Sequence, residues 1–475
     1  MTKEVKSVRR HGRRLRNRLW FVCFVILFLS ACGGVEVKGP EESSILGPQS
    51  KLAKGEQRVL MVAVKFPDEE PSIPLERTRQ RVVTELNQYV RAQSFDLAWM
   101  KADFRGWVKL PSPISEYRIS PYNFKVDRTR IRKLVEDTMT ALEKEVDFSQ
   151  YQQILIIPGA HTTPGKGYGM ICYCANPGML TGVKGNLGYA TLKSKGGKEF
   201  RKGVFVGTEN ASLGMWAHDF FHALGGLHEK IRLVPCLYDF ERQSDTSQLP
   251  SLEHHGIYMG PWDIMSEHFV KRDGPPPGIS SFTKIRLGWI SPEEALFIRP
   301  GETSYAALSP LSQKGNLQVV KIPLKGGRYY LVENRQPIGF DRILPDSGLI
   351  ILKVDPSAPE GYGTVRVIDA DKNSPHFSHA TFRLDRSNRN IFVDKGANVA
   401  IIPLWPEGEN QGVLITTLEK SSDALKAALM IQKLMDRDPR TRRGEGNRLI
   451  EESLACFKRY DFRGCYEMVQ KGLKD

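Results

Sequence analysis

No two cysteines in this 475-residue chain are spaced CxxC, and seven in all are too few to staple a chain of this length. That excludes a disulfide scaffold and a cysteine-only structural zinc site. No internal repeat and no long low-complexity tract is present, so solenoids and fibrous arrays are excluded as well. Evenly spread basic charge is also missing. Residues 1–20 hold eight Lys/Arg against one Glu and so account for half of the net +14; a nucleic-acid-binding surface is not supported. What remains is ordinary: 40% hydrophobic and 26% charged residues, the composition of a globular protein. The length predicts two or three domains.

The basic N-terminus runs into Leu19-Trp-Phe-Val-Cys-Phe-Val-Ile-Leu-Phe-Leu-Ser-Ala31, followed by Cys32-Gly-Gly. Thirteen residues suit the apolar region of a signal peptide and fall short of the roughly 20 needed to span a bilayer. Leu29-Ser30-Ala31-Cys32 is similar to a bacterial lipobox, in which Cys32 is lipidated and becomes the new N-terminus. The alternative is an uncleaved signal anchor. The lipobox reading predicts export and anchoring to the cell envelope membrane through Cys32, with residues 1–31 as signal peptide and 32–55 as a flexible tether. Of the other cysteines, Cys236 is a candidate disulfide partner for Cys172 or Cys174 in an oxidising compartment.

Hydrophobic patterning predicts strands over 57–66, 102–110 and 153–158, and helices over 74–93, 127–146 and 211–224. Alternating strands and helices predict an α/β layer through residue 298. Four short β runs over 317–322, 328–333, 348–354 and 398–402 predict an all-β domain, 299–420. Residues 421–475 return to helix, broken near Pro439–Gly446, with a hairpin turning at Tyr460-Asp-Phe-Arg-Gly464.

The chemistry is carried by His218-Asp-Phe-Phe-His222-Ala-Leu-Gly225-Gly-Leu-His228. Two histidines four apart share one helix face and can grip a metal together. Gly225 is placed where the helix must end and the chain reverse, with the positive φ that glycine tolerates. His228 can then return as third ligand. Three nitrogens leave the fourth tetrahedral position of a Zn²⁺ ion for water, the pattern of a catalytic site. Downstream, Gly260-Pro-Trp-Asp-Ile-Met265-Ser266 looks like the Met-turn of metzincins, with Met265 as an apolar floor beneath the metal.

From about residue 57 to 355 the chain resembles secreted metallopeptidases of the immune inhibitor A type, within the metzincin clan. The resemblance rests on Val64-Lys-Phe-Pro-Asp68, Gln93-Ser-Phe95, the HxxxHxxG helix, Trp262-Asp-Ile-Met-Ser266, Lys284 with Leu287-Gly-Trp289, Leu331-Val-Glu-Asn-Arg335, Leu344-Pro-Asp-Ser-Gly348 and Val354-Asp355. It implies a metzincin-like α/β metallopeptidase domain over 56–298, a zinc endopeptidase acting on proteins or peptides, and bound calcium that the sequence does not locate. The chain departs from the pattern twice. Family members often carry Asp, followed by Leu-Tyr-Asp, where this chain has His228; here Leu237-Tyr-Asp239 follows an insertion containing Pro235-Cys236. His228 is the preferred third ligand and Asp239 the competitor.

The second departure is Asp219, which stands where HExxH enzymes place the glutamate general base. Aspartate is shorter by one methylene, about 1.5 Å, and a displacement near 1 Å can cost ~10²-fold in rate. Three readings stay open: a slow or re-tuned peptidase, a zinc-binding pseudoprotease that holds a partner without cleaving it, and a metal-free relic. A full ligand set argues against the last. His254-His255 and His268 read as loop histidines that could line a cleft, and Tyr258 as a candidate oxyanion donor. Asn210-Ala-Ser212 reads as a helix cap, and Glu333-Asn-Arg335 as an anchor between the two larger domains.

Overall fold

Gly55–Lys65 forms the first strand, β1, and its side chains divide two cores. Val59, Met61 and Ala63 enter one; Leu60, Val62 and Val64 enter the other. That is the alternation of a strand buried on both faces. The structure, a computed structural model, describes residues 43–117, 127–161, 172–181, 188–244, 256–271, 274–437 and 445–472. The expected signal peptide, Cys32 and His254-His255 lie outside the described residues.

Strands β2 (Ala98–Lys109), β3 (Gln153–Pro158), β4 (Cys172–Asn176) and β5 (Gly203–Gly207) complete a sheet ordered β2-β1-β3-β5-β4. It is parallel except for β4, which lies antiparallel to β5 at one edge. One face is covered by helix α2 (Arg128–Leu142), started by Asp127, whose carboxylate accepts the Thr129 and Arg130 amides. Its stripe of Ile131, Leu134, Val135, Met139 and Leu142 is buried there, each side chain contributing about 1.5–3 kcal/mol. The other face takes helix α1 (residues 75–94) and helix α3 (Leu213–Gly225). A π-helical stretch, Gln80–Glu85, interrupts α1.

The β-rich part consists of two sheets. Ala295–Phe297, Val319–Pro323, Tyr329–Arg335, Gly348–Val354 and Val365–Val367 form one; Ser304–Leu308, Asn410–Thr416, Val399–Glu407 and Phe392–Asp394 form the other. Alternation again sorts the side chains. Leu331, Ile350 and Leu352 enter the core that also holds α1 and α3, while Tyr330, Val332, Leu349 and Ile351 pack between the two sheets. The expected boundary near residue 298 therefore runs through a shared core, and Glu42–Asp475 is one compact unit. Helices α4 (Leu418–Met435), α5 (Glu445–Lys458) and α6 (Phe462–Gly472) cover the outer face of the second sheet through Ile402, Leu404, Trp405 and Leu414. The molecule is thus a mixed α/β protein with a C-terminal helical segment.

One expectation is corrected outright. Residues 43–54 are not a tether but a docked strap. Leu46 and Ala53 are buried, Ser50 Oγ donates to Leu224 O at the end of α3 (2.6 Å), Arg286 Nη1 donates to Pro48 O (2.9 Å), and Lys321 Nζ donates to Ile45 O (2.6 Å). The apolar Leu46 and Ala53 were hidden from composition by the Gly, Pro and Ser around them. Among the described residues no helix is long and apolar enough to cross a membrane.

Candidate metal centre

Helix α3 begins at Ser212, whose hydroxyl accepts the Met215 amide (3.3 Å), so the Asn210-Ala-Ser212 sequence is a cap, worth about 1 kcal/mol. Gly214, costly in a helix interior, is explained by its neighbour: a Cβ there would sit 1.7 Å from His268 O. One turn later the helix carries His218 and His222, 3% and 1% exposed. His218 Nδ1 lies 3.0 Å from Ile264 O, and His222 Nδ1 lies 2.6 Å from Val234 O. A carbonyl only accepts, so each Nδ1 carries the proton and each Nε2 presents a lone pair. The two Nε2 atoms are 3.0 Å apart. Two acceptors held that close in a buried site could share a cation.

The third side chain that the structure brings to this pair is Cys236, not His228. Its Sγ lies 3.3 Å from His222 Nε2 and 3.7 Å from His218 Nε2. Among the described residues this is the one group of three such side chains able to hold a metal ion. The cause lies in the chain's path. Helix α3 ends at Gly225, but the positive φ belongs to Gly226 (63°). Gly225 is instead required by close approach, since a Cβ on it would lie 2.7 Å from Val234 Cγ2. The chain then makes a hairpin, Leu227–His228 against Ile231–Arg232, through left-handed Glu229 and Lys230. This carries the His228 side chain outward, 53% exposed and 3.9 Å from Glu229. The returning arm brings Val234 O onto His222 and Cys236 onto both histidines.

The competitor Asp239 is engaged elsewhere. It accepts Tyr258 Oη and the Arg242 amide, and it does not join His218 and His222 in the group that could hold a metal. Cys236 is not in a disulfide with Cys172 or Cys174; all three are free thiols.

A tetrahedral ion with bonds of about 2.0–2.1 Å to nitrogen and about 2.3 Å to sulfur sets N···N near ~3.3 Å and N···S near ~3.6 Å. The three observed separations fit that set. The surroundings are built to hold it. Tyr238 Oη is 3.3 Å from Cys236 Sγ, and the Tyr238 ring stacks on His218. Glu360 Oε1 accepts both the Cys236 amide (2.9 Å) and Arg232 Nη1 (3.0 Å). Met265 is fully buried, and its turn reaches both ligand segments: Ile264 O meets His218, and Met265 O accepts Leu237 N (2.8 Å). His268 is not an exposed loop histidine; its ring packs edge-on against His218 at 4.6 Å.

Asp219, next to His218, meets the edge strand β4. Its carboxylate takes hydrogen bonds from the Cys172 thiol and the Cys174 amide of β4, and burial pushes its pKa up to about 7. Burial likewise raises the Cys236 thiol and depresses His222. Neither known protein families nor curated proteins match the chain. The cysteine was readable in one way only: aligning the family's Asp-Leu-Tyr-Asp on Leu237-Tyr-Asp239, instead of counting from His222, sets Cys236 at the position of the first Asp.

Proposed function

We propose that the protein is an exported, lipid-anchored zinc endopeptidase of metzincin type in which His218, His222 and Cys236 hold the ion and Asp219 is the general base. The observation that carries the reading is the convergence of two oriented imidazole lone pairs and a thiol in a buried site. Two nitrogens and a sulfur, with no carboxylate among them, favour zinc over the oxygen-seeking Ca²⁺ and Mg²⁺. Bound there, zinc supplies a Lewis acid that polarises a peptide carbonyl and acidifies water. As general base, Asp219 takes a proton from the attacking water and returns it to the leaving amine. Met265 and the Ile264 carbonyl keep the first histidine in position, and Glu360 does the same for the cysteine.

The second reading, a pseudoprotease that binds a peptide without cutting it, is favoured by one observation: the Asp219 carboxylate is lodged against Cys172 and Cys174. One experiment separates the two. Detergent-solubilised full-length protein, with zinc content measured, is incubated with casein. Slow cleavage that is abolished in Asp219→Ala supports the peptidase. No cleavage by wild type or Asp219→Glu, both loaded with zinc, rejects it in favour of binding. Loss of lipid labelling in Cys32→Ala tests the anchor separately.

A further inference from the structure

The C-terminal hairpin carries two thiols that the metal centre does not use. Cys456, near the end of α5, and Cys465, in the first turn of α6, are 3% and 0% exposed. Both lie in the core that joins α4, α5 and α6 to Trp405. The turn between the helices, with Tyr460 at φ 64°, folds α6 back so that the two thiols are in hydrogen-bond contact with each other. Each is fixed from its far side as well: Cys456 Sγ lies 3.5 Å from Asp461 O, and Cys465 Sγ lies 3.4 Å from Ser453 O. No third metal donor completes a group with them among the described residues. Burial raises both thiols, Cys465 to about 12.

We propose that Cys456 and Cys465 are joined by a disulfide that staples α5 to α6. The S–S bond forms as two S–H bonds break. Two electrons and two protons pass to an oxidant of the protein-disulfide class, which leaves as a dithiol. The bond closes a short loop at a corner where two amphipathic helices otherwise meet only by packing, and it holds that corner by restricting the unfolded hairpin. Formation in the cell rests on the export reading, because the cytosol keeps thiols reduced. The pairing itself does not.

The test separates these. Solubilised full-length protein is equilibrated with oxidised and reduced glutathione, alkylated under denaturing conditions and digested with trypsin. Lys458, Arg459 and Arg463 lie between the two cysteines, so their peptides travel together only if bridged. The bridged peptide is expected in the oxidising buffer and absent after dithiothreitol. Reduction, or Cys465→Ser, is expected to speed limited tryptic cleavage at Arg459 or Arg463 of the folded protein on the order of tenfold. Full alkylation of both cysteines after equilibration with oxidised glutathione, in protein with an unchanged circular dichroism spectrum, overturns the proposal. A bridge formed in vitro but absent from protein taken from cells supports the pairing and counts against export.

Discussion

Two buried polar clusters share the turn at Trp262–Met265, and they are built from opposite kinds of group. On one side Ile264 O meets His218, and three possible metal donors, His218, His222 and Cys236, face one another. On the other side Trp262 O accepts Arg335 Nη1 (3.0 Å). Arg335 also grips Asp341 with two 2.8 Å bonds and Glu333 with one of 3.0 Å. Glu333 accepts Ser281 N (2.7 Å), and Asp263 accepts Ser280 and Thr283. Lys284, fully buried, reaches Gln93 O and lies 4.1 Å from the Phe95 ring centroid. Here the chain brings its own cations to its own carboxylates. The second cluster is closed by the chain's own charges and joins the β sheets to the α/β layer; the first is open and could hold a metal ion.

That contrast can be broken most forcefully at Arg335. Arg335→Met leaves Glu333 and Asp341 buried without a counter-charge and is expected to cost about 3–5 kcal/mol in urea unfolding. A loss under 1 kcal/mol would mean the carboxylates are protonated or solvated, and the closed-cluster description would fail. Next in size is the open cluster. With zinc at about 100 times its Kd, chelation should destabilise the wild type by about 2.7 kcal/mol and leave Cys236→Ala unaffected. His228→Ala should retain both the metal and its stabilisation, within about 0.5 kcal/mol of wild type. Equal zinc loss in His228→Ala and Cys236→Ala would sink the assignment of Cys236.

The smallest effect, measured per pH unit, sharpens the closed side. Burial lowers the Lys284 pKa from its ordinary 10.5 to about 7. Between those values the unfolded chain carries a proton that the native one lacks, so unfolding takes up a proton and rising pH opposes it. Stability should therefore gain about 1.4 kcal/mol per pH unit from this residue across pH 7–10.5. The gain should be absent in Lys284→Met. Parallel pH profiles for the two proteins would show that Lys284 stays charged in the fold.

The sequence made the regular elements legible and the irregular ones not. Strand Gln153–Pro158 and strand Gly348–Val354 fall where their apolar runs end, because flanking polar residues and turn formers mark the edges. The α3 helix was legible from its cap and its periodic stripe. The approach of Cys236 to the histidines was not, and the reason is local. The hairpin that displaces His228 turns through Glu229 and Lys230, both left-handed, with no Gly or Asn to announce it. Reading the spacing as continuous therefore kept His228 near the helix. The pairing of Asp219 with β4 depends on a strand contact remote in sequence, which no local pattern records.

The strap at residues 43–54 also says something about the order in which the fold closes. Its partners lie far downstream in the chain: Leu224 is 174 residues from Ser50, Arg286 is 238 from Pro48, and Lys321 is 276 from Ile45. Such contacts cannot form until helix α3, the Ser281–Arg286 helix and the Val319–Pro323 strand are in place. The strap is therefore a latch, among the last parts of the fold to close and among the first to open.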